Sequence, residues 1–174
     1  MSIRMSAAGA LALGAIVAGS VLTGFVCAAS AAPSDEAQIQ TLEKQFAAAV
    51  QAKDPAKIMA VYAPEGLFVF DLVPPRQYVG QAAYKKDWEN VFAGTVGPVK
   101  FGVADLAVTV VGPVAYGHSI QTIGWTGKNG KATSIVVRVT DVYRKMGGKW
   151  RIVQEHVSVP VDLDTGKPDM MSKP

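Results

Sequence analysis

The spacing of hydrophobic residues changes once along this chain, from a helical period to a strand period. In three segments of the first half, apolar side chains recur every three or four residues, and each segment follows a residue that starts helices: Ser34, Asp54 or Gly80. This pattern predicts helices over residues 34–52, 54–63 and 81–93. A short apolar run at residues 67–71 lies between the last two and predicts a strand.

The second half of the chain is rich in β-branched and aromatic residues, which are typical of strands. Turn sequences divide it at residues 112–113, 129–130 and 146–148. Four long strands are therefore predicted at residues 99–110, 114–125, 131–144 and 150–159. Helices that precede a series of antiparallel strands indicate the α+β class. We expect a cone-shaped, curved antiparallel sheet with three N-terminal helices on one face and a cavity between the two layers.

The first 31 residues have the pattern of an export signal. Arg4 precedes an apolar run rich in Gly and Ala, and residues 29–31 (ASA) form a small-residue cleavage site. We expect cleavage after Ala31 and a periplasmic or secreted mature protein without a stable membrane span. The alternative is an uncleaved anchor, because the run is long enough to span a bilayer. The predicted organisation is a signal peptide at 1–31, one domain at 32–160 and a polar tail at 161–174.

Charge and cysteine content exclude several classes of function. Removing Arg4 from the 17 basic residues leaves 16, against 14 acidic ones. The basic residues are scattered along the chain, so we expect no nucleic-acid partner. The only cysteine, Cys27, lies in the predicted signal, and the mature protein therefore has neither a disulfide nor a thiol ligand. We expect no cofactor.

The last two predicted strands carry polar side chains in mid-strand, where they must be exposed, paired or at a cavity. If residues 146–148 form a three-residue turn, Arg138 lies opposite His156 and Thr140 lies opposite Gln154. This register divides the hairpin into two faces. One face carries Val136, Arg138, Thr140, Val142, Trp150, Ile152, Gln154, His156 and Ser158, and the other carries Val137, Val139, Asp141, Tyr143, Val153, Glu155 and Val157.

Several segments along residues 39–162 carry a resemblance to a known family. FAAAVQAKD (46–54) resembles a first helix that ends in a short acidic turn, and YAPEGLFVFD (62–71) resembles a strand that ends in an acidic residue. GQAAYKKDW (80–88) resembles a third helix, and KWRIVQEHVS (149–158) is similar to the closing strand of the calcium/calmodulin-dependent kinase II association domain. Together they resemble the nuclear transport factor 2-like superfamily and, within it, SnoaL-like and ketosteroid-isomerase-like proteins. The resemblance implies a cystatin-like cone, a fold that supports many functions.

The resemblance also implies site residues. In ketosteroid isomerase one aspartate shuttles a proton, while a protonated aspartate and a tyrosine stabilise the enolate oxygen. These roles fall on Asp71, Asp141 and Phe46, and the missing hydroxyl of Phe46 argues against steroid isomerisation itself. Asp141 marks the concave face, and His118 joins it as a further catalytic candidate. The implied pocket residues are Phe46, Tyr62, Tyr78, Trp88, Val139, Glu155 and Val157.

Two functions remain open from the sequence. The first is proton transfer next to a carbonyl by an isomerase or lyase, with Asp71 as base and Asp141 or His118 as donor. The second is a non-catalytic module that binds a small-molecule ligand or assembles. A homodimer would use the sheet face that carries Arg138, Gln154, His156 and Ser158.

The candidate residues also have structural interpretations. Asp141 could pair with Arg138 or Arg144, and His118 could pair with Asp71. The predicted register puts the only two histidines, residues 118 and 156, on opposite faces of the sheet, where they cannot share a metal ion. With no cysteine in the mature chain either, we expect no transition-metal site.

Overall fold

A computed structural model describes residues 32–172, and the predicted signal peptide at 1–31 lies outside this part of the chain. The helices are α1 (Asp35–Gln51), α2 (Pro55–Met59) and α3 (Gln81–Ala93). The strands are β1 (Phe68–Phe70), β2 (Tyr78–Val79), β3 (Thr95–Val111), β4 (Val114–Gly127), β5 (Ala132–Met146) and β6 (Lys149–Ser158).

The six strands form one sheet in the order β2-β1-β6-β5-β4-β3. The predicted α+β architecture is confirmed, and so is the order of helices and long strands. Two features were not predicted. The short strand β2 lies in a segment that the sequence pattern indicates to be a loop. Strand β1 runs parallel to β6, whereas all other neighbouring strands are antiparallel. None of the helices described between residues 32 and 172 is long and apolar enough to cross a membrane.

Side-chain caps define where the first two helices begin. The Ser34 hydroxyl accepts a hydrogen bond from the amide of Ala37 at 3.2 Å, and Asp54 Oδ1 accepts one from the amide of Lys57 at 3.0 Å. The second helix ends at Met59, earlier than predicted. The chain then runs beside β6, where the amide of Ile152 donates to the carbonyl of Val61 at 3.0 Å.

Irregular pairing of β3 curves the sheet around the helices. Its register with β4 shifts twice, between Val96 and Lys100 and between Ala104 and Ala107. Such bulges bend a strand and increase its twist. The concave face packs on α1 and α3, and the core includes Ile39, Leu42, Phe46, Val50, Tyr143 and Ile152.

The hairpin of β5 and β6 corrects the predicted register. Met146 pairs with Lys149 across a two-residue turn, and a bulge leaves Val153 unpaired between the Val142–Gln154 and Tyr143–Ile152 pairs. Arg138 therefore lies opposite Ser158, and Thr140 lies opposite His156. The prediction that Trp150 and Ile152 share the outer face with Arg138 is wrong. Both are buried on the concave side, because the bulge reverses the alternation of β6 at Val153.

The segment after β6 returns to the sheet. Asp162 accepts hydrogen bonds from the amides of Asp164 and Thr165, and these close a turn. The amide of Val136 then donates to the carbonyl of Met170 at 2.7 Å. This part of the predicted tail thus lies beside β5 beyond the point where β6 ends.

Candidate active site

A cavity of about 180 Å³ lies between α3, the segment after β1 and the concave face of the sheet. Its walls are mainly apolar, and they include the aromatic side chains Phe46, Trp88, Phe101 and Trp125. Its polar lining residues are Asp71, Tyr84, Asp87, Gln121 and Glu155. A mainly apolar pocket with a few convergent polar groups is the usual form of a small-molecule site.

Asp71 lies at the end of β1 and lines this cavity. Burial is the largest cause that raises the pKa of its carboxyl to about 6, and the negative charge of Asp87 adds to the rise. The hydrogen bond from the amide of Leu72 lowers this pKa, and so does the nearby hydroxyl of Tyr84. Asp71 therefore changes its protonation state close to neutral pH, as a general base must.

Glu155 lies deeper in the same cavity and is held by two tyrosines. The Tyr84 hydroxyl donates to Oε1 at 2.7 Å, and the Tyr62 hydroxyl donates to Oε2 at 2.6 Å. Burial raises the pKa of Glu155 to about 7, although both hydrogen bonds lower it. Tyr84 interacts with Asp71 as well, and it therefore links the two cavity carboxyls.

Two further acids lie behind Glu155. Asp141 is opposite Glu155 in the register of β5 and β6, and Glu43 reaches it from α1. The Tyr143 hydroxyl lies 2.9 Å from Glu43 Oε1 and 3.4 Å from Asp141 Oδ2. Tyr143 thus bridges Glu43 and Asp141, while Tyr62 and Tyr84 hold Glu155. We call the three buried carboxyls, Glu43, Asp141 and Glu155, the acid cluster. None of these three acids forms an ion pair within the described part of the chain.

Burial without a basic partner favours the protonated forms of the acid cluster. Burial is the main cause that raises the pKa of Glu43 to about 7. Burial, followed by the charges of Glu155 and Glu43, raises the pKa of Asp141 well above its usual value. These causes favour the protonated form of Asp141. Its Oδ1 has no hydrogen-bond partner among the described residues.

The ring of Tyr143 packs closely against the backbone of β4 at Gly117. A Cβ atom on Gly117 would lie 2.9 Å from the carbonyl oxygen of Ala107 and 3.4 Å from the Tyr143 ring. Glycine at this position of β4 thus leaves the space that Tyr143 occupies. The ring is buried, and its hydroxyl can reach Asp141 and Glu43.

The structure brings many of the predicted site residues together. Phe46, Asp71, Trp88, Glu155 and Val157 line the cavity. Tyr62, Tyr78, Val139 and Asp141 are buried but are not among the lining residues. Tyr78 acts on the site indirectly, because its hydroxyl donates to Asp87 Oδ1 at 2.7 Å. Asp141 lies behind Glu155 rather than at the cavity wall.

His118 does not lie at the cavity. It is exposed on the outer face of the sheet, opposite Thr140, while Gly117 and Ser119 on either side of it are buried. His156 pairs with the other side of Thr140, so both histidines share the outer face, contrary to the predicted register. Among the described residues, no group of three or more histidine, cysteine or acidic side chains could hold a metal ion.

Side chains alternate between the two faces of the sheet, and this alternation also excludes the ion pairs that the sequence suggested for Asp141 and His118. Arg138 and Arg144 are exposed on the outer face, opposite in direction to the buried Asp141. His118 and Asp71 are likewise separated by the sheet.

Sequence reasoning missed Glu43, Tyr84 and Asp87 as members of the site. For Glu43 a signal exists, because this residue lies four positions after Ile39 and three before Phe46 on the apolar stripe of α1. A carboxyl on the buried face of a helix must be paired, hydrogen-bonded or protonated. For Tyr84 and Asp87 no signal separates a site role from an ordinary helical position.

Comparisons with known proteins agree with this fold. The profile of the SnoaL-like domain matches residues 39–162, and the chain belongs to this family. It is similar to a nuclear transport factor 2-like protein of unknown function from Pseudomonas putida, with 31% identity over 81% of this chain and 99% of that one, at a TM-score of 0.71. None of the curated proteins compared with the chain matches it.

Two other solved structures carry functional names. One, a candidate calcium/calmodulin-dependent protein kinase II association domain from Xanthomonas campestris, has 25% identity over 75% of this chain and 91% of that one, at a TM-score of 0.63. The other, a candidate scytalone dehydratase from Novosphingobium aromaticivorans, has 14% identity over 80% of this chain and 94% of that one, at a TM-score of 0.66. At 14% identity the second likeness shows the fold alone.

Proposed function

We propose that the protein catalyses proton transfer next to a carbonyl group of a small, largely apolar molecule, in the manner of a ketosteroid-isomerase-like isomerase or lyase. One observation carries this proposal. Asp71 and Glu155 both line the cavity, both interact with Tyr84, and the pKa values of the two carboxyls are raised to about 6 and about 7. Near neutral pH such a pair supplies one ionised base and one partly protonated acid.

Asp71, Tyr84 and Glu155 have separate roles in the proposed reaction. Ionised Asp71 takes a proton from the carbon next to the carbonyl, and the carbonyl oxygen gains negative charge. Tyr84 or protonated Glu155 donates a hydrogen bond to that oxygen, in place of the donors Asp141 and His118 that the sequence suggested. Asp71 then returns the proton to another carbon in an isomerase, or to a departing hydroxyl group in a lyase.

Deuterium exchange tests the proton-transfer step without knowledge of the natural substrate. The protein is mixed in deuterated water with simple enolisable ketones such as phenylacetone and cyclohexanone, and exchange is followed by NMR. We expect exchange that increases through a pH of about 6 and falls at least about a hundredfold in Asp71→Asn. Glu65→Gln, an exposed carboxyl outside the cavity, is the matched control. Wild-type exchange no faster than buffer, or full activity in Asp71→Asn, would overturn the proposal.

A second proposal concerns assembly. We propose that two copies associate through the outer face that carries Arg138, Gln154, His156 and Ser158. Phe70, which pairs with His156, is 37% exposed on this face, and Tyr116 is 53% exposed. Exposed aromatic side chains on one sheet face favour a contact surface.

Light scattering after size exclusion measures the mass in solution. We expect a dimer for the wild type and a monomer for Tyr116→Asp. Leu163→Asp, which changes an exposed residue in the turn after β6, should remain dimeric. A monomeric wild type would contradict the assembly proposal and leave the proton-transfer proposal intact.

We also propose that the protein acts outside the cytoplasm after cleavage at Ala31. The support is the sequence of residues 1–31. Mass spectrometry of the full chain expressed in a bacterium should find a periplasmic or secreted form that begins at Ala32. A membrane-bound form that retains its first residues would favour the anchor instead.

A further inference from the structure

The charge of the cavity differs in sign from that of the chain. The sequence has 17 basic and 14 acidic residues, yet every charged side chain at the cavity is an acid: Asp71, Asp87 and Glu155. No lysine, arginine or histidine occurs among the described residues that line it. A ligand with a negative charge would meet like charges there and have no cation to offset them.

Asp87 is the carboxyl that the proposed reaction does not use. It lies on α3, lines the cavity, and accepts a hydrogen bond from Tyr78. The two nearest lysines in sequence, Lys85 and Lys86, both form ion pairs with Glu89 instead. Asp87 itself has no ion-pair partner in the described part of the chain. A negative charge at a cavity wall is therefore left without a cation of the protein.

Aromatic side chains form part of the wall of the cavity that Asp87 lines. The ring of Phe46 meets the rings of Trp88 and Phe101 edge to face, with centroids 6.0 Å and 5.5 Å apart, and Tyr84 stands 6.1 Å from Trp88. The face of an aromatic ring attracts a cation, and the attraction strengthens as the site loses water. Rings and carboxyls together favour a positive ligand, whereas neither group favours a negative one.

We propose that the cavity binds an organic cation, an amine or ammonium compound with an apolar body, and that Asp87 receives its positive charge. This inference rests on the proposed function and names the substrate class of the same site. Because Asp87 holds the charge, Asp71 stays free to act as the base. The cationic group and the carbonyl would then belong to one molecule, with the carbonyl directed toward Tyr84 and Glu155.

Three probes with one apolar body test the sign of the preferred charge. Phenylpropylammonium, phenylpropanol and phenylpropanoate differ only in the terminal group, which is positive, neutral or negative. Their dissociation constants are measured by calorimetry or by NMR titration at a pH of about 8, where Asp71 and Glu155 are ionised. We expect the ammonium to bind about tenfold more tightly than the alcohol, and the carboxylate to bind most weakly.

Asp87→Asn tests which residue receives the charge. Asparagine keeps the oxygen that accepts the Tyr78 hydrogen bond, so the fold should persist, as near-ultraviolet circular dichroism would check. The advantage of the ammonium over the alcohol should fall to about threefold or less, with unchanged affinity for the alcohol. Glu65→Gln should change nothing.

Three results would overturn the inference: a carboxylate that binds as tightly as the ammonium, no binding of the ammonium, or an unchanged preference in Asp87→Asn. The exchange assay on uncharged ketones depends on Asp71 and needs no cation. It therefore separates a failure of this inference from a failure of the proposed function.

Discussion

Asp141 and Glu155 lie directly opposite each other on neighbouring strands, and both carboxyls are buried. Burial raises the pKa of Asp141, and the charges of Glu155 and Glu43 raise it further. Like charges this close in a buried site disfavour joint ionisation. The stability of the fold is thereby coupled to the protonation of its core.

Stability should decrease as pH rises through the neutral range. The pKa values of Glu43 and Glu155 are raised from 4.5 to about 7, so the folded state binds these protons more tightly than the unfolded state does. This stabilisation is complete below a pH of about 4.5 and is lost as pH rises through about 7. We expect a thermal midpoint that is roughly 5 °C lower at a pH of about 8 than at about 5. Calorimetry at constant ionic strength measures it, and a midpoint that rises with pH over this interval would contradict the prediction.

Asp141→Asn should remove part of this pH dependence. An asparagine has the shape of a protonated aspartate and cannot ionise, so the change should cost about 1 kcal/mol or less of unfolding free energy at a pH of about 5. At alkaline pH the variant should be the more stable protein, since the wild type must then force charge into the cluster. Urea unfolding at several pH values tests this, and equal pH dependence in both proteins would show that Asp141 does not couple to the cluster.

Tyr84→Phe and Tyr62→Phe should have different effects on the pKa values of the two cavity acids, Asp71 and Glu155. Tyr84 lowers the pKa of both Asp71 and Glu155, whereas Tyr62 lowers that of Glu155 only. Loss of the Tyr84 hydroxyl should therefore raise both pKa values, and loss of the Tyr62 hydroxyl should raise one. Carboxyl carbon-13 NMR titrations follow each acid. If Asp71 titrates in Tyr84→Phe as it does in the wild type, then Tyr84 does not link Asp71 to Glu155, and the prediction is contradicted.

Tyr143→Phe should destabilise the fold by about 1–3 kcal/mol, because Glu43 and Asp141 lose a buried hydrogen-bond donor. The pKa of Glu43 should rise further, since the Tyr143 hydrogen bond lowers it in the native protein. Tyr116→Phe removes an exposed hydroxyl from the neighbouring strand and is the matched control, with an expected change within about 0.5 kcal/mol. Equal losses in chemical unfolding would show that the buried hydroxyl contributes nothing specific.

Most of the fold follows from the sequence pattern, because helix starts and turns have local chemical signals. The helix at 81–93 is predicted with its observed bounds, and the long strands agree to within about four residues. The parallel contact of β1 with β6 has no such signal, because it depends on packing between segments far apart in the chain. The bulge at Val153 has none either, since it lies within an ordinary β-branched run.

The site was harder to predict, because it too depends on contacts between segments that lie far apart in the chain. Asp71 and Glu155 carry charge at the ends and centres of apolar runs, and the resemblance to a family supports their positions. His118 was misplaced because its neighbours, Gly117 and Ser119, are small residues that do not reveal which of them is buried. Glu43 shows the opposite case, in which the sequence carried a signal on the apolar stripe of α1.

The bulge at Val153 also restricts how this hairpin can vary in length. Trp150 and Ile152 face the core on one side of it, and Glu155 and Val157 face the same core on the other side, although their numbers differ in parity. A single inserted or deleted residue elsewhere in β6 would turn either the tryptophan or the glutamate outward. We therefore expect β6 to tolerate the insertion or deletion of two residues better than that of one, because two residues restore the alternation of its side chains.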